Sequence, residues 1–177
     1  DLTESGISLN NTVENINLPK FEDIPVPTVI ALLTGSGVGS KPLQSLLDGH
    51  EQIYMIPAYP LLYFYPHWST WEKSLKDWSW NSIIDIFCEK HASVIDSRRI
   101  PGHNGLTTLG IDKNEHIEID ENLFKKCLLH FLTGQKIGSK LFILAIHYAY
   151  SICKQEYHGN KHLLIYHIHE VEYLGCL

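Results

Sequence analysis

The sequence lacks any long apolar run. No stretch approaches the roughly 18–20 consecutive apolar residues that a membrane-spanning helix needs. The first residues, which include Asp1 and Glu4, also lack the basic start and apolar stretch of a signal peptide. We therefore expect a cytoplasmic protein with no membrane partner.

Basic residues are fewer than acidic residues. The chain has 14 lysines and arginines against 20 aspartates and glutamates, for a net charge of −6. A negative protein has no broad attraction for a phosphate backbone or an anionic membrane. We expect no nucleic-acid partner, and a local anion site remains open.

Paired cysteines are missing as well. The four cysteines are far apart and include no C-x-x-C pair, which excludes a dense disulfide framework and the common zinc motifs. We expect reduced thiols at all four positions, which are Cys88, Cys127, Cys153 and Cys176.

The composition along the chain suggests an acidic N-terminal arm followed by one folded domain. Residues 1–27 carry five acidic residues against Lys20 alone, and Pro19, Pro25 and Pro27 lie near their end, which predicts a loosely ordered arm. Residues 28–177 are expected to form a single α/β domain. Within it, residues 28–33 form a continuous apolar run, as in a central strand covered on both faces.

The later elements alternate between helix and strand. Further strands are predicted at 52–56 and 163–169. Helices are predicted from Leu43 to a stop at Gly49, over 81–91, from an Asp120 N-cap to near Gly134, and from Ser139 to around Gly159. This alternation favours a three-layer α/β fold with a parallel sheet.

A glycine-rich turn follows the first predicted strand. Because Gly35, Gly37 and Gly39 have no Cβ, an anion can approach the backbone N–H groups, and Lys41 adds an ammonium. The strand, turn and helix favour a fold of the P-loop type. The nucleotide-hydrolase pattern fails at two positions, because Ser40 replaces a glycine and Pro42 replaces the magnesium-binding Ser or Thr. A merely tight connection is the alternative.

The run from Thr34 to His50 resembles the 5′-phosphosulfate loop of sulfotransferases. Its Leu-Gln-Ser-Leu-Leu-Asp-Gly-His portion is the closer match. In this resemblance Gly39 falls on the motif's glycine and Ser40 on its first threonine. Gly37 stands where the family has a basic residue, and Lys41 stands where it has a second threonine. Lys41 is positioned to supply the positive charge from one turn away.

The last predicted strand carries a second point of resemblance. Cytosolic sulfotransferases have a strand ending in Lys-x-His, and here His167 matches the lysine and His169 matches the histidine base. Two alternatives remain open. The pair could bind zinc or iron with Glu170 or Glu172, or it could be hydrogen-bonded to loop backbone.

The resemblance implies sulfuryl transfer from 3′-phosphoadenosine 5′-phosphosulfate to a hydroxyl of a small molecule or carbohydrate, with no metal. It covers residues 28–174, the N-terminal part of a longer fold, so we expect an incomplete domain. Activity is expected if the family's Arg…Ser element for the 3′-phosphate is supplied. The implied catalytic residues are His169, Lys41 and His167. The implied donor-binding residues are Gly35, Ser36, Gly37, Val38, Gly39, Ser40 and Lys41.

Two other function classes stay in view. A magnesium-dependent nucleotide kinase or hydrolase would use the same turn, and a binding remnant would keep the fold without turnover. The aromatic-rich stretch 59–80 suits either an acceptor wall or core packing, and His67 within it is a second acid–base candidate. His147 is expected to be a core histidine.

Overall fold

The computed structural model describes residues 18–33, 40–57, 61, 63–99, 111–112, 114–156 and 159–168. Within them lie three strands: β1 (Thr28–Leu33), β2 (Ile53–Met55) and β3 (Leu163–Ile168). The same residues form five α-helices: α1 (Ser40–Leu47), α2 (Phe64–Ser74), α3 (Trp80–Lys90), α4 (Glu121–Leu132) and α5 (Ser139–Cys153). No helix in this described part is long and apolar enough to cross a membrane.

The strands form one parallel sheet in the order β1-β3-β2. All three strand predictions are confirmed, and every strand end lies within one residue of its predicted position. The prediction that 28–33 is a central strand covered on both faces is wrong for the described sheet, where β1 lies at the edge. Val29 is 49% exposed and Ile30 is 42% exposed. β3 is an equally apolar run, and it takes the central position that composition alone cannot assign.

Four helices cover one face of the sheet, which we call the core face. Leu164 and Tyr166 of β3 point into it, together with Tyr54 of β2. Its centre is aromatic. Phe142 of α5 is fully buried, and its ring lies 5.7 Å from the ring of Trp80. The helices α2 to α5 therefore form one continuous hydrophobic core with the sheet.

The other face, which we call the α1 face, is covered by α1 in the described structure. Ile53, Met55 and Ile165 form a small buried cluster there, with Leu47 of α1 packed against it. Leu46 of α1 is 81% exposed, so the leucines of this helix are buried only in part. Helices thus lie on both faces of a parallel sheet, and the fold is mixed α/β.

Local chemistry explains several helix ends. Asp120 caps α4 as predicted, because its Oδ1 accepts a hydrogen bond of 3.0 Å from the Leu123 N–H. Gly134, with φ of 81°, follows the end of α4. The prediction that the last helix runs to around Gly159 is wrong. α5 ends at Cys153, and Gln155 adopts a left-handed φ of 58° that breaks the helix.

The stretch just before β1 contacts the core. Ile24 is buried, and the ring of Phe21 lies 5.8 Å from that of Phe131 in α4. The carbonyl of Pro19 accepts a hydrogen bond of 3.0 Å from His130 Nε2. The arm over residues 1–27 and its boundary at residue 27 stay predictions, because residues 1–17 lie outside the described part.

Candidate functional site

The two strands that precede the candidate segments end side by side at the carboxyl edge of the sheet. β1 and β3 are parallel, and Leu33 at the end of β1 pairs with Ile168 at the end of β3. The glycine-rich turn therefore leaves the sheet beside the point where His169 follows β3. Ligands of open parallel sheets bind in the crevice at such carboxyl ends.

Helix α1 begins directly after the glycine-rich turn, at Ser40. Lys41 and Pro42 lie in its first turn, where the missing N–H of a proline costs no helical hydrogen bond. The remaining predicted donor-binding residues, Gly35, Ser36, Gly37, Val38 and Gly39, lie outside the described residues. The predicted helix is confirmed, but it begins at Ser40, three residues before the predicted Leu43. The anion-binding role of the turn stays a prediction.

His167 lies within β3, two residues before the candidate base. It pairs with Leu32 of β1 and is only 5% exposed. Because side chains alternate along a strand, His167 shares its face with Ile165, which is the face that α1 covers. His169 lies outside the described residues. The structure therefore places His167 on the same side of the sheet as α1.

The metal alternative for the two histidines stays a hypothesis. Among the described residues, no group of three or more His, Cys, Asp or Glu side chains is arranged to hold a metal ion. His169, Glu170 and Glu172, which this alternative needs, fall outside those residues.

His67, the second acid–base candidate, contacts His91 and Trp71 within the helical layer. Its Nδ1 lies 3.0 Å from Nε2 of His91, so one ring donates a hydrogen bond to the other. Burial lowers the pKa of His67, and the nearby charge of Lys90 lowers it further. The ring also stacks on Trp71 with centroids 5.9 Å apart. These contacts join α2 to the end of α3.

Most of the aromatic-rich stretch serves the core. Trp68, Trp71 and Trp80 are buried, and Phe64 is almost fully so. Their rings contact one another and Phe142 rather than forming an open wall. Core packing is confirmed for these residues. Tyr59, which also belongs to the stretch, lies outside the described part.

Buried histidine and cysteine side chains behave as expected from their positions. Burial lowers the pKa of His147 on α5 to about 4, although its Nδ1–H donates a 2.8 Å hydrogen bond to the Ile143 carbonyl. Cys88, Cys127 and Cys153 are free thiols. Burial raises the pKa of Cys88 to about 12, which makes it unreactive.

Sequence reasoning missed a buried lysine at the opposite edge of the sheet. Lys161 precedes β3 and is only 3% exposed. Its Nζ donates to the carbonyls of Ile53, at 2.8 Å, and His50, at 3.3 Å. Burial lowers its pKa, and Glu156 acts in the other direction from 3.9 Å. A single lysine before a strand carries no sequence signal for such a role.

The chain matches no protein-family model, no curated protein and no solved structure. What can be said of its function therefore rests on the residues and geometry described above. The strongest of these is the shared carboxyl edge of β1 and β3.

Proposed function

We propose that the chain binds 3′-phosphoadenosine 5′-phosphosulfate at the carboxyl edge of the sheet and transfers its sulfuryl group to a hydroxyl of a small molecule or carbohydrate. The observation that carries this proposal is the parallel pairing of β1 and β3, with Leu33 opposite Ile168. This register supports a site shared by the glycine-rich turn and His169, the two segments that resemble the sulfotransferase motifs.

The turn and the start of α1 hold the donor in this proposal. Backbone N–H groups of residues 36–41 point at the phosphosulfate, and the Lys41 ammonium, from the first turn of α1, balances its charge. Negative charge builds on the bridging oxygen as the sulfuryl group leaves. Fixed donors placed there lower the barrier because they stabilise that charge more than the ground state.

The histidines serve the acceptor. The acceptor oxygen forms a new bond to sulfur while the bond from sulfur to the 5′-phosphate oxygen breaks, which releases adenosine 3′,5′-bisphosphate. His169 takes the hydroxyl proton, as a base with a pKa near neutrality can. His167, buried on the α1 face, acts as a positioning residue for the strand end. None of these steps needs a metal.

Calorimetric titration separates this function from its alternatives. We expect adenosine 3′,5′-bisphosphate to bind without magnesium. Binding of ATP only with magnesium would favour a kinase or hydrolase instead, and binding of neither would favour a remnant without turnover. Gly39→Val should abolish binding of the bisphosphate, because a side chain there blocks the approach of the anion to the backbone.

Lys41 provides a graded test of the same site. A charge-assisted hydrogen bond contributes about 1.5–3 kcal/mol, so Lys41→Ala should weaken bisphosphate binding roughly ten- to a hundredfold. Lys136→Ala, an exposed lysine between α4 and α5, is the matched control and should change nothing. An equal, small effect of both substitutions would contradict a specific contact.

The base is tested by activity. His169→Ala should lower the rate about 10²–10⁴-fold while bisphosphate affinity stays the same. His162→Ala is the matched control, because this exposed histidine precedes the other end of β3. If His169→Ala or His167→Ala instead releases bound zinc or iron from the purified protein, the metal interpretation replaces the base.

A further inference from the structure

A cavity of about 360 Å³ lies on the core face of the sheet, beside the edge strand. Val29 and Ala31 of β1 and Tyr166 of β3 form its floor. Tyr65 of α2 stands on one side, and Ile143 of the first turns of α5 stands on another. The walls thus come from two strands and two helices, which gives the cavity a fixed shape.

The floor of the cavity contains one small residue. Within the run Thr28–Leu33, every other residue is β-branched or leucine, and Ala31 alone has a single methyl group. Ala31 pairs with Tyr166 in the sheet, so the space above the two is limited mainly by α5. A larger side chain at position 31 would point into this space.

The size and lining define the body of a ligand. A cavity of about 150 Å³ accommodates benzene, so this one accepts a molecule of roughly twice that size. Its lining is mostly aliphatic and aromatic, as in small-molecule sites generally. Two fused rings, or an aliphatic chain of similar volume, would cover the side of Val29 that is now exposed.

The charge at the rim defines the head of the ligand. Lys140 is the one charged residue on the lining, and it makes no ion pair within the described part of the chain. The first turn of α5 also carries no acidic residue that would neutralise it. An apolar cavity with one ammonium at its mouth complements an amphipathic anion.

We infer that this cavity binds a small amphipathic anion, an aromatic or aliphatic carboxylate or sulfonate whose apolar body lies over Ala31 and whose charge contacts Lys140. The inference does not depend on the proposed sulfuryl transfer. The cavity lies on the core face, whereas α1 and His167 lie on the opposite face of the sheet.

Titration of the full chain with 1-naphthoate tests the inference. We expect one molecule to bind, and its neutral analogue 1-naphthamide to bind more weakly. Lys140→Met should weaken naphthoate binding roughly tenfold or more while leaving naphthamide unchanged. Lys136→Met, on an exposed lysine outside the cavity, is the matched control and should leave both unchanged.

Filling the cavity separates specific binding from surface adsorption. Ala31→Leu should abolish binding of both probes, with folding checked by circular dichroism. If that variant does not fold, Leu144→Trp fills the same space from α5. The inference is overturned if the unaltered chain binds no naphthoate, or if a folded, cavity-filled variant binds it with unchanged affinity. It also fails if Lys136→Met matches the loss caused by Lys140→Met.

Discussion

The two faces of the sheet differ sharply in how they are covered. Four helices and a set of contacting aromatic rings pack on the core face, which stays partly open at the cavity beside β1 in the described structure. In the described structure, α1 alone covers the opposite face, where three buried residues and a half-buried Leu47 make a small cluster. The stability of the domain is therefore concentrated on one face, while the proposed donor site begins on the helix that covers the other.

This asymmetry has a physical rationale. In the proposed function, the turn before α1 keeps its backbone N–H groups available to an anion, which a lightly packed helix permits. A heavily packed layer on the other side holds β3 in place, and β3 fixes the register of both its neighbours. Substitutions on the two faces should therefore have unequal effects.

The largest effect is expected in the aromatic centre of the core face. Phe142 is fully buried, and its ring lies 5.3 Å from that of Phe87 and 5.6 Å from that of Trp68. Phe142→Ala should lower the free energy of unfolding by about 3–5 kcal/mol, because it removes packing and leaves a cavity. Urea unfolding measures the loss, and a loss below about 1 kcal/mol would contradict a tightly packed centre.

The α1 face should respond less to the same kind of change. Ile165 lies in the central strand, but its cluster contains only two other buried residues, Ile53 and Met55. Ile165→Ala should cost about 2–3 kcal/mol, at the low end for a buried isoleucine, because neighbours under a thin cover can relax. A loss as large as that of Phe142→Ala, in the same urea titration, would remove the distinction between the faces.

Acid should lower the free energy of unfolding through His147, which is buried in α5 on the core face. His147 has a pKa of about 4 in the folded protein and near its ordinary value of 6.5 when unfolded, so the unfolded state binds more protons between these values. Stability is full above about pH 6.5 and should fall by about 2 kcal/mol between pH 7 and pH 5. Unfolding measured at both pH values tests this.

The matched variant for the pH effect is His147→Leu, which removes the titrating group. Its dependence on pH should be much flatter, with a smaller slope left from His67, whose pKa burial also lowers. An unchanged slope in this variant would assign the acid sensitivity to other groups.

The smallest effect is expected on the outward side of α1. Leu46 is 81% exposed, so Leu46→Gln should change the free energy of unfolding by less than about 0.5 kcal/mol. The same titration measures it. A cost above about 1 kcal/mol would show that the outer side of α1 is covered in solution.

The sequence predicts the local elements of this fold well because their signals are local. The run 28–33, the Asp120 cap and the presence of a helix after the glycine-rich turn each depend on a few neighbouring residues. The central position of β3 could not be predicted, because it depends on pairing between distant strands. The early end of α5 was missed because Gln155, which is not glycine, takes the left-handed conformation.

The candidate site divides in the same way. That the turn after β1 and the end of β3 share an edge follows from any parallel sheet, and the register agrees with it. The cavity over Ala31 could not be predicted, because its walls come from α2 and α5. Likewise, nothing near Lys161 in the sequence indicates that its ammonium donates hydrogen bonds to the carbonyls of His50 and Ile53.

The central position of β3 also governs the order in which the chain can fold. Both neighbours pair with β3 and, in the described sheet, not with each other, although roughly 110 to 135 residues separate the paired positions. Closing such long loops is entropically costly before any contact forms. During synthesis, α2 to α5 emerge before β3 and can pack through nearer contacts. In the described sheet, β1 and β2 have no partner strand until β3 has left the ribosome. The apolar edge of β1 is therefore exposed for longest in the growing chain, and it is where a nascent-chain chaperone would have most to bind.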